Sequence, residues 1–294
     1  MSKTYQSTLE SWVAEPKNTA RSVLATIFGD SIAPVGGSIW LGQLFTLTNV
    51  FGFSPRLVRT SLYRLTGEGW CLNERVGRQS RYYLTELATR ETDQAEQRIY
   101  HAPDPLWSGE WVAAFIRSPS LPDDVAQRVA QRLGWQGFLP LRNDMLVSPT
   151  ATMEQTQDVC NRASPDHRVP LATMTFPELE QLVADGFFAD ALSIEHRGKA
   201  YDEFVALYES IDAKKVTNDP ESAFGIRTML VHDLRRIRLS GPDLPTQLLP
   251  DEWPGLRAFE VARSLYPVLS KAVNPWLSSV LELEYPVKIG TRFE

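Results

Sequence analysis

The sequence predicts a multidomain α+β fold, and three observations carry that expectation. Between residues 54 and 85 a helical pattern runs into two strand-like segments joined through a glycine. Residues 111–176 alternate strand, helix, strand, strand, helix, strand. From about residue 189 onward, helical spacing of apolar residues dominates. A chain of 294 residues accommodates two or three such domains.

Taken in order, residues 1–18 are polar and read as a flexible N-terminus. Thr19 to Ile32 place Val23, Leu24, Ile27 and Phe28 on one helical face, ended by Pro34 and Gly36-Gly37. Ile39 to Val50 read as a second, largely apolar and therefore buried helix, followed by a turn at Gly52-Phe53. Ser54-Pro55 is a helix-start signature, a capping hydroxyl before a proline at the first helical position. The helix it opens ends at Gly67 or Gly69, residues suited to a left-handed cap. On it, Val58, Leu62 and Leu65 cluster on one side, while Arg56, Arg59, Thr60 and Tyr63 cluster on the other. Two strands, WCLNERV and RYYLT, then flank the polar turn Gly77-Arg78-Gln79-Ser80 as a hairpin. Helix, helix, turn, basic helix and basic-tipped hairpin are the order of a winged helix-turn-helix, which we expect over 19–100, with a further helix at 86–98 and a boundary near 101–107.

A second domain is expected over 105–188. Its strand candidates are Trp111–Arg117, one or two within 137–147, and Val169–Phe176; its helices are Asp123–Leu133 and Thr152–Asn161. That alternation suits a ferredoxin-like α/β sandwich. Residues 189–294 are expected to form a mainly helical domain, with a proline-rich connector at 241–255.

Composition excludes several classes. A hydrophobic share of 43% and a charged share of 22% are those of an ordinary globular protein. No apolar run approaches the roughly 18 residues of a membrane span, and MSKTYQSTLESW lacks the layout of a signal peptide, so a cytoplasmic location is expected. Cys71 and Cys160 have no metal-type spacing and read as free thiols. Net charge is −6 but unevenly spread: residues 1–100 carry eleven Lys/Arg against nine Asp/Glu, the remainder nineteen against twenty-seven. Within 54–85 stand six arginines against Glu68 and Glu74. A local basic patch on an acidic chain suits one surface that meets DNA on a body that repels it elsewhere.

The candidate DNA contacts follow. Arg56 and Arg59 can reach guanine edges or clamp phosphates, and Thr60 and Tyr63 can serve in either role. Ser54 and the backbone amides beside it suit a phosphate, and Arg64 lies to the side. At the hairpin, Arg78 suits a minor groove or the backbone, flanked by Arg75 and Arg81. A second cationic cluster, Arg227, His232, Arg235, Arg236 and Arg238, stands in the acidic part of the chain, with Trp253 and Trp276 on segments that could pack nearby. It suits an anionic aromatic or phosphate-bearing ligand; the alternative is that these arginines pair with acidic neighbours or cap their helix. Enzyme chemistry finds no support. The histidines at 101, 167, 196 and 232 are dispersed, and no G-x-S-x-G elbow, phosphate loop or dinucleotide fingerprint occurs. No cofactor or metal is expected.

Three stretches resemble one family: GDSIAPVGGSIWLGQL (29–44), GFSPRLVRTSLYRLTGEGWCLNERVGRQSRYYLT (52–85), and HDLRR (232–236) with PDLPTQLLPDEWPG (242–255). With GWQGF (134–138) between them, the chain is similar over nearly its whole length to the PaaX family of phenylacetate-degradation repressors. The resemblance implies a homodimeric repressor of aromatic-acid catabolic genes, bound to double-stranded operator DNA and released by an aryl-acyl coenzyme A such as phenylacetyl-CoA. It also implies a middle domain similar to the Cas2 ferredoxin-like fold, and it alone assigns effector sensing and dimerisation to the helical domain at 189–294. Coenzyme A phosphates would suit the second cluster, and the effector-binding candidates are Arg227, His232, Arg235, Arg236 and Trp253. Two other readings remain. A metal-dependent nuclease on the Cas2-like domain would need a carboxylate near the end of its first strand, where Arg117-Ser118 stand. A winged-helix scaffold would bind another protein instead of DNA.

Overall fold

Residues 3–102, 107–117, 121–188, 194–241, 244–250, 252–283 and 292–293 are described by the computed structural model. The chain is α+β, with two small antiparallel sheets and a helical C-terminal part, and groups into two compact units. One comprises 1–101, 204–235 and 257–294; the other comprises 102–203 and 236–256. Residues 189–294, expected as one helical domain, are therefore shared between the units. The expected boundary at 101–107 lies partly outside the described residues.

The first unit opens with a difference from expectation. Residues expected to be flexible form α1 (Lys3–Ala14), on which Tyr5, Leu9 and Trp12 recur at helical spacing and are buried. The stripe is too sparse to stand out in a polar segment, and tertiary burial stabilises it. Next comes α2 (Ala20–Ile27), whose first turn is capped by the Thr19 hydroxyl accepting from the Ser22 amide at 3.3 Å. It widens into a π turn at Phe28–Ile32 and a 3-10 turn at Ala33–Val35, and Gly36 ends it at φ 103°.

The second predicted helix starts later than expected. Ser38–Trp40 form β1, and only Leu41–Asn49 form α3. The strand owes its existence to a distant partner, since Trp40 lies opposite Arg81. The helix α4 (Pro55–Gly67) begins at the Ser54 cap and buries Val58, Leu62 and Leu65. After Gly69, at φ 71°, come β2 (Cys71–Val76) and β3 (Gln79–Leu84). Gly77, at φ 62°, takes the first place of their two-residue turn, where a positive φ matches the strand twist. The sheet order is β1-β3-β2, and α5 (Glu86–Tyr100) follows.

The second unit holds β4 (Trp111–Phe115), α6 (Asp123–Trp135), β5 (Leu139–Arg142), β6 (Met145–Ser148), α7 (Met153–Ala163), β7 (Leu171–Met174) and α8 (Leu179–Ala184). All its strand pairs are antiparallel, in the order β5-β6-β4-β7. Val112 and Ala114 of β4 pack among Val125, Val129 and Leu133 of α6 and Cys160 of α7. Trp111 and Ala113, on the other face, pack with Phe188, Leu244 and Leu248. Burial on both faces explains why WVAAF reads as a continuous apolar run. Among the described residues, the further helices are α9 (Ile194–Glu209), α10 (Ala213–Val216), α11 (Pro220–Arg238) and α12 (Pro254–Val280), with a 3-10 turn at Thr246–Leu248.

Candidate nucleic-acid interface

The outward face of α4 carries Arg56, Arg59, Thr60, Tyr63 and Arg64, all exposed, Tyr63 at 81%. Arg75, Arg78 and Arg81 of the hairpin are exposed as well. The apolar stripe of α4 fixes this face, because Val58 and Leu62 are fully buried and Leu65 nearly so. Several arginines elsewhere have acidic partners: Arg21 pairs with Glu68, Arg90 with Glu86, Arg162 with Asp158 and Arg257 with Glu209, whereas the exposed Arg117, Arg142 and Arg168 are scattered singly along the second unit's sequence without one among the described residues. Among the described residues, none of the six arginines of α4 and the hairpin makes a salt bridge. Six cations left without carboxylates on one helix and one hairpin form a surface suited to a polyanion.

Some of these side chains are nevertheless held. The Arg59 guanidinium stands 4.9 Å from the centre of the Phe45 ring on α3. That of Arg81 stands 5.8 Å from the Trp40 ring and donates to the Ser38 hydroxyl at 2.6 Å. The Arg75 Nε donates to the Gly77 carbonyl at 3.3 Å. The Ser54 hydroxyl accepts from the Leu57 amide, and that of Thr60 donates to the Arg56 carbonyl at 3.0 Å.

The first unit also holds a buried polar cluster that sequence reasoning missed. Asp30, in the π turn, accepts from the Tyr100 and Tyr266 hydroxyls, each at 2.8 Å, and pairs with Arg227 at 3.2 Å. Arg227 is fully buried and also donates to the hydroxyls of Ser31 and Ser270 and to the Asn274 amide oxygen. Arg292 reaches Asp30 at 3.9 Å and Glu96 at 3.0 Å. Burial by itself would push the Asp30 carboxyl up. The Arg227 and Arg292 guanidinia and the two phenol hydrogen bonds outweigh it and hold the group below its ordinary value. Nearby, Asp233 accepts from the Trp12 indole and the Tyr208 hydroxyl, and burial raises its pKa.

The residues of the second cationic cluster fall in both units. Arg227 and His232 are fully buried, His232 with its Nδ1 2.9 Å from the Thr26 hydroxyl. Arg235 donates to Ser22 of α2. These three belong to the first unit, whereas Arg236 and Trp253 belong to the second. There Trp253 packs edge-on against Tyr201 with ring centres 5.6 Å apart. Trp276, in the first unit, packs against Phe224. An arginine reads alike in sequence whether it faces solvent or a buried carboxylate supplied by a distant element, and for Arg227 that carboxylate is Asp30.

Among the described residues no group of three or more His, Cys, Asp or Glu is placed to hold a metal ion, and Ser118 lies outside them. No helix is long and apolar enough to cross a membrane among the residues described.

Among the described residues, these features give the first unit a cationic face on α4 and the hairpin, in a chain of net charge −6. The chain belongs to the PaaX-like family. The model of PaaX-like proteins matches residues 19–88 and that of the PaaX-like C-terminal domain matches 193–279. The transcriptional repressor PaaX of Escherichia coli (strain K12) is 32% identical over 275 residues, covering 90% of this chain and 86% of that protein. An uncharacterized protein from Mycobacterium tuberculosis has a similar fold, with a TM-score of 0.51, 20% identity, and coverage of 89% of this chain and 98% of that one.

Proposed function

We propose that this chain is a PaaX-family transcriptional repressor that binds double-stranded operator DNA through residues 19–100, folded as a winged helix-turn-helix. The observation that carries the reading is the carboxylate-free set of arginines on α4 and the hairpin. In this reading α4 enters the major groove, presenting Arg56, Arg59, Thr60, Tyr63 and Arg64, with Ser54 at its phosphate-facing start. The hairpin is the wing, and Arg75, Arg78 and Arg81 follow the backbone or the minor groove. Residues 105–188 form a ferredoxin-like, Cas2-like domain; the order β5-β6-β4-β7 with α6 and α7 as crossovers supports it. The protein acts in the cytoplasm as a homodimer, and its role is regulatory rather than enzymatic, in keeping with the name of its Escherichia coli relative.

An aryl-acyl coenzyme A, phenylacetyl-CoA above all, releases the repressor by binding more tightly to a geometry that cannot grip DNA. For its contacts, Arg236 and Trp253 of the second unit are the candidates to test first. Fluorescence anisotropy on DNA from the surrounding gene neighbourhood, with and without phenylacetyl-CoA, tests both parts. Tight, salt-dependent binding released by the thioester and not by phenylacetate or free coenzyme A is the expected result. Absence of duplex binding would sink the repressor reading. Binding indifferent to the thioester would sink only the effector.

A further inference from the structure

We infer that Phe45 and Trp40 are positioning residues of the DNA contact: their rings hold Arg59 and Arg81 as preset phosphate clamps and leave base reading to Arg56 and Tyr63. The inference rests on the DNA-binding reading and divides its arginines into two kinds.

Three observations separate them. Arg59 is the one arginine of α4, among the described residues, that stands over an aromatic ring, 4.9 Å from the centre of Phe45. Its charge is also felt by the Tyr82 phenol on β3. Arg59 therefore leans to the side of α4 that faces α3 and the hairpin, away from the outer crest. Arg81 is fixed in the same manner, cross-strand from Trp40, with its guanidinium near that ring and bonded to Ser38. By contrast, Arg56 and Tyr63 project from the crest, seven positions apart and so on one line of the helix, with no side-chain partner among the described residues. Thr60, between them, spends its proton on the Arg56 carbonyl.

A guanidinium resting on a ring keeps its positive charge and its edge donors while losing fewer rotamers on binding. Such a group suits a phosphate, whose position along the backbone is the same whatever the sequence. Reading a base edge requires the side chain to reach into the groove and adjust to the pair it meets, which an arginine held back against α3 cannot do and a free arginine on the crest can.

The test uses the full-length protein and two duplexes: one enriched by the wild type from a random pool, and a scrambled control. Anisotropy is read over a range of salt. Arg59→Ala should weaken both duplexes by the same factor and lower the salt slope by about one. Phe45→Leu, which keeps apolar bulk and removes the ring face, should weaken both by about three-fold and have no further effect once Arg59 is alanine. Arg56→Ala should cost about ten-fold or more on the enriched duplex and little on the control. Thermal melts establish that each variant is folded. Additive effects of Phe45→Leu and Arg59→Ala would overturn the inference, as would a loss at Arg59 confined to the enriched duplex. A wild type that binds neither duplex would overturn the DNA-binding reading itself.

Discussion

Arg227 of α11 and Asp30 of the π turn after α2 form an ion pair at 3.2 Å with neither side chain accessible to solvent. Within the first unit, the pair joins the family-matched segment 19–88 to residues 204–235, which are part of the matched segment 193–279. Removing one member of such a pair strands the other charge in the core. We therefore expect Asp30→Ala to destabilise the unit by about 3–5 kcal/mol in urea denaturation. Asp30→Leu combined with Arg227→Met should recover much of that loss, because two apolar residues leave no charge unmatched. A double variant as unstable as the single one would show that the surrounding hydroxyls, rather than the charges, dominate.

The same carboxyl sets a pH dependence. Its folded pKa lies below the ordinary value near 3.8, so the unfolded chain takes up the proton first as pH falls. The stability Asp30 contributes is fully present above its unfolded pKa and is lost as pH drops through the folded one. Asp30→Asn should therefore be less stable than wild type at neutral pH, with the gap closing on acidification below about pH 4. Asp233 works in the opposite sense: burial raises its pKa, so its ionisation costs stability as pH rises. A gap between wild type and Asp30→Asn that stayed constant from pH 7 to pH 3 would refute the assignment to Asp30.

The arginines of the cationic face should behave quite differently from Arg227. Arg56 and Arg78 are exposed, and none of the described carboxylates pairs with them. Replacing either with alanine should change stability by no more than about 0.5 kcal/mol while weakening DNA binding. Paired melts and anisotropy titrations of the two variants check this. A large fall in melting temperature for either would mean that its side chain supports the fold.

This division marks what was legible in the sequence. α4 and the hairpin were, because their signals act over a few residues: the Ser54-Pro55 start, the stripe Val58, Leu62 and Leu65, and the turn at Gly77. The alternation of 111–176 was legible for the same reason. What was not legible depends on distant partners. β1 exists because Trp40 meets Arg81 across the sheet. α1 is held by burial of Tyr5, Leu9 and Trp12, which a polar segment does not announce. Arg227 meets its carboxylate, Asp30, across most of the chain's length, and nothing near it in sequence announces that pairing. The grouping of 204–235 and 257–294 with 1–101 likewise depends on contacts between segments far apart in sequence.

Cysteine chemistry offers an independent check on the two cores. Cys71 and Cys160 are both free and buried, one in each unit. Burial pushes the Cys160 thiol up to about 11 and raises that of Cys71 as well. A thiolate is the reactive form, so both should resist a disulfide reagent at pH 7.5 in the native protein. Two equivalents should react promptly in denaturant. Rapid native labelling of one cysteine would reveal that its unit opens locally.

The docking of α1 rests on Gly225 of α11. A methyl group added there would stand 2.8 Å from Leu9 Cδ1, 3.0 Å from Leu9 Cδ2 and 3.2 Å from Val50 Cγ1. Leu9 and Val50 are both buried, so neither can swing into solvent to make room. Alanine is the better helix former by about 1 kcal/mol, yet here the overpacking should win. Gly225→Ala is expected to destabilise the unit by about 1–3 kcal/mol. Leu9→Ala alone should cost about 2–5 kcal/mol through the cavity it leaves. In that background the added methyl enters vacated space, and Gly225→Ala should become neutral or stabilising. Urea denaturation of the four proteins gives the coupling directly. Additivity within about 0.5 kcal/mol would mean that α1 does not pack against this glycine in solution, and that the N-terminal segment is held elsewhere along its length.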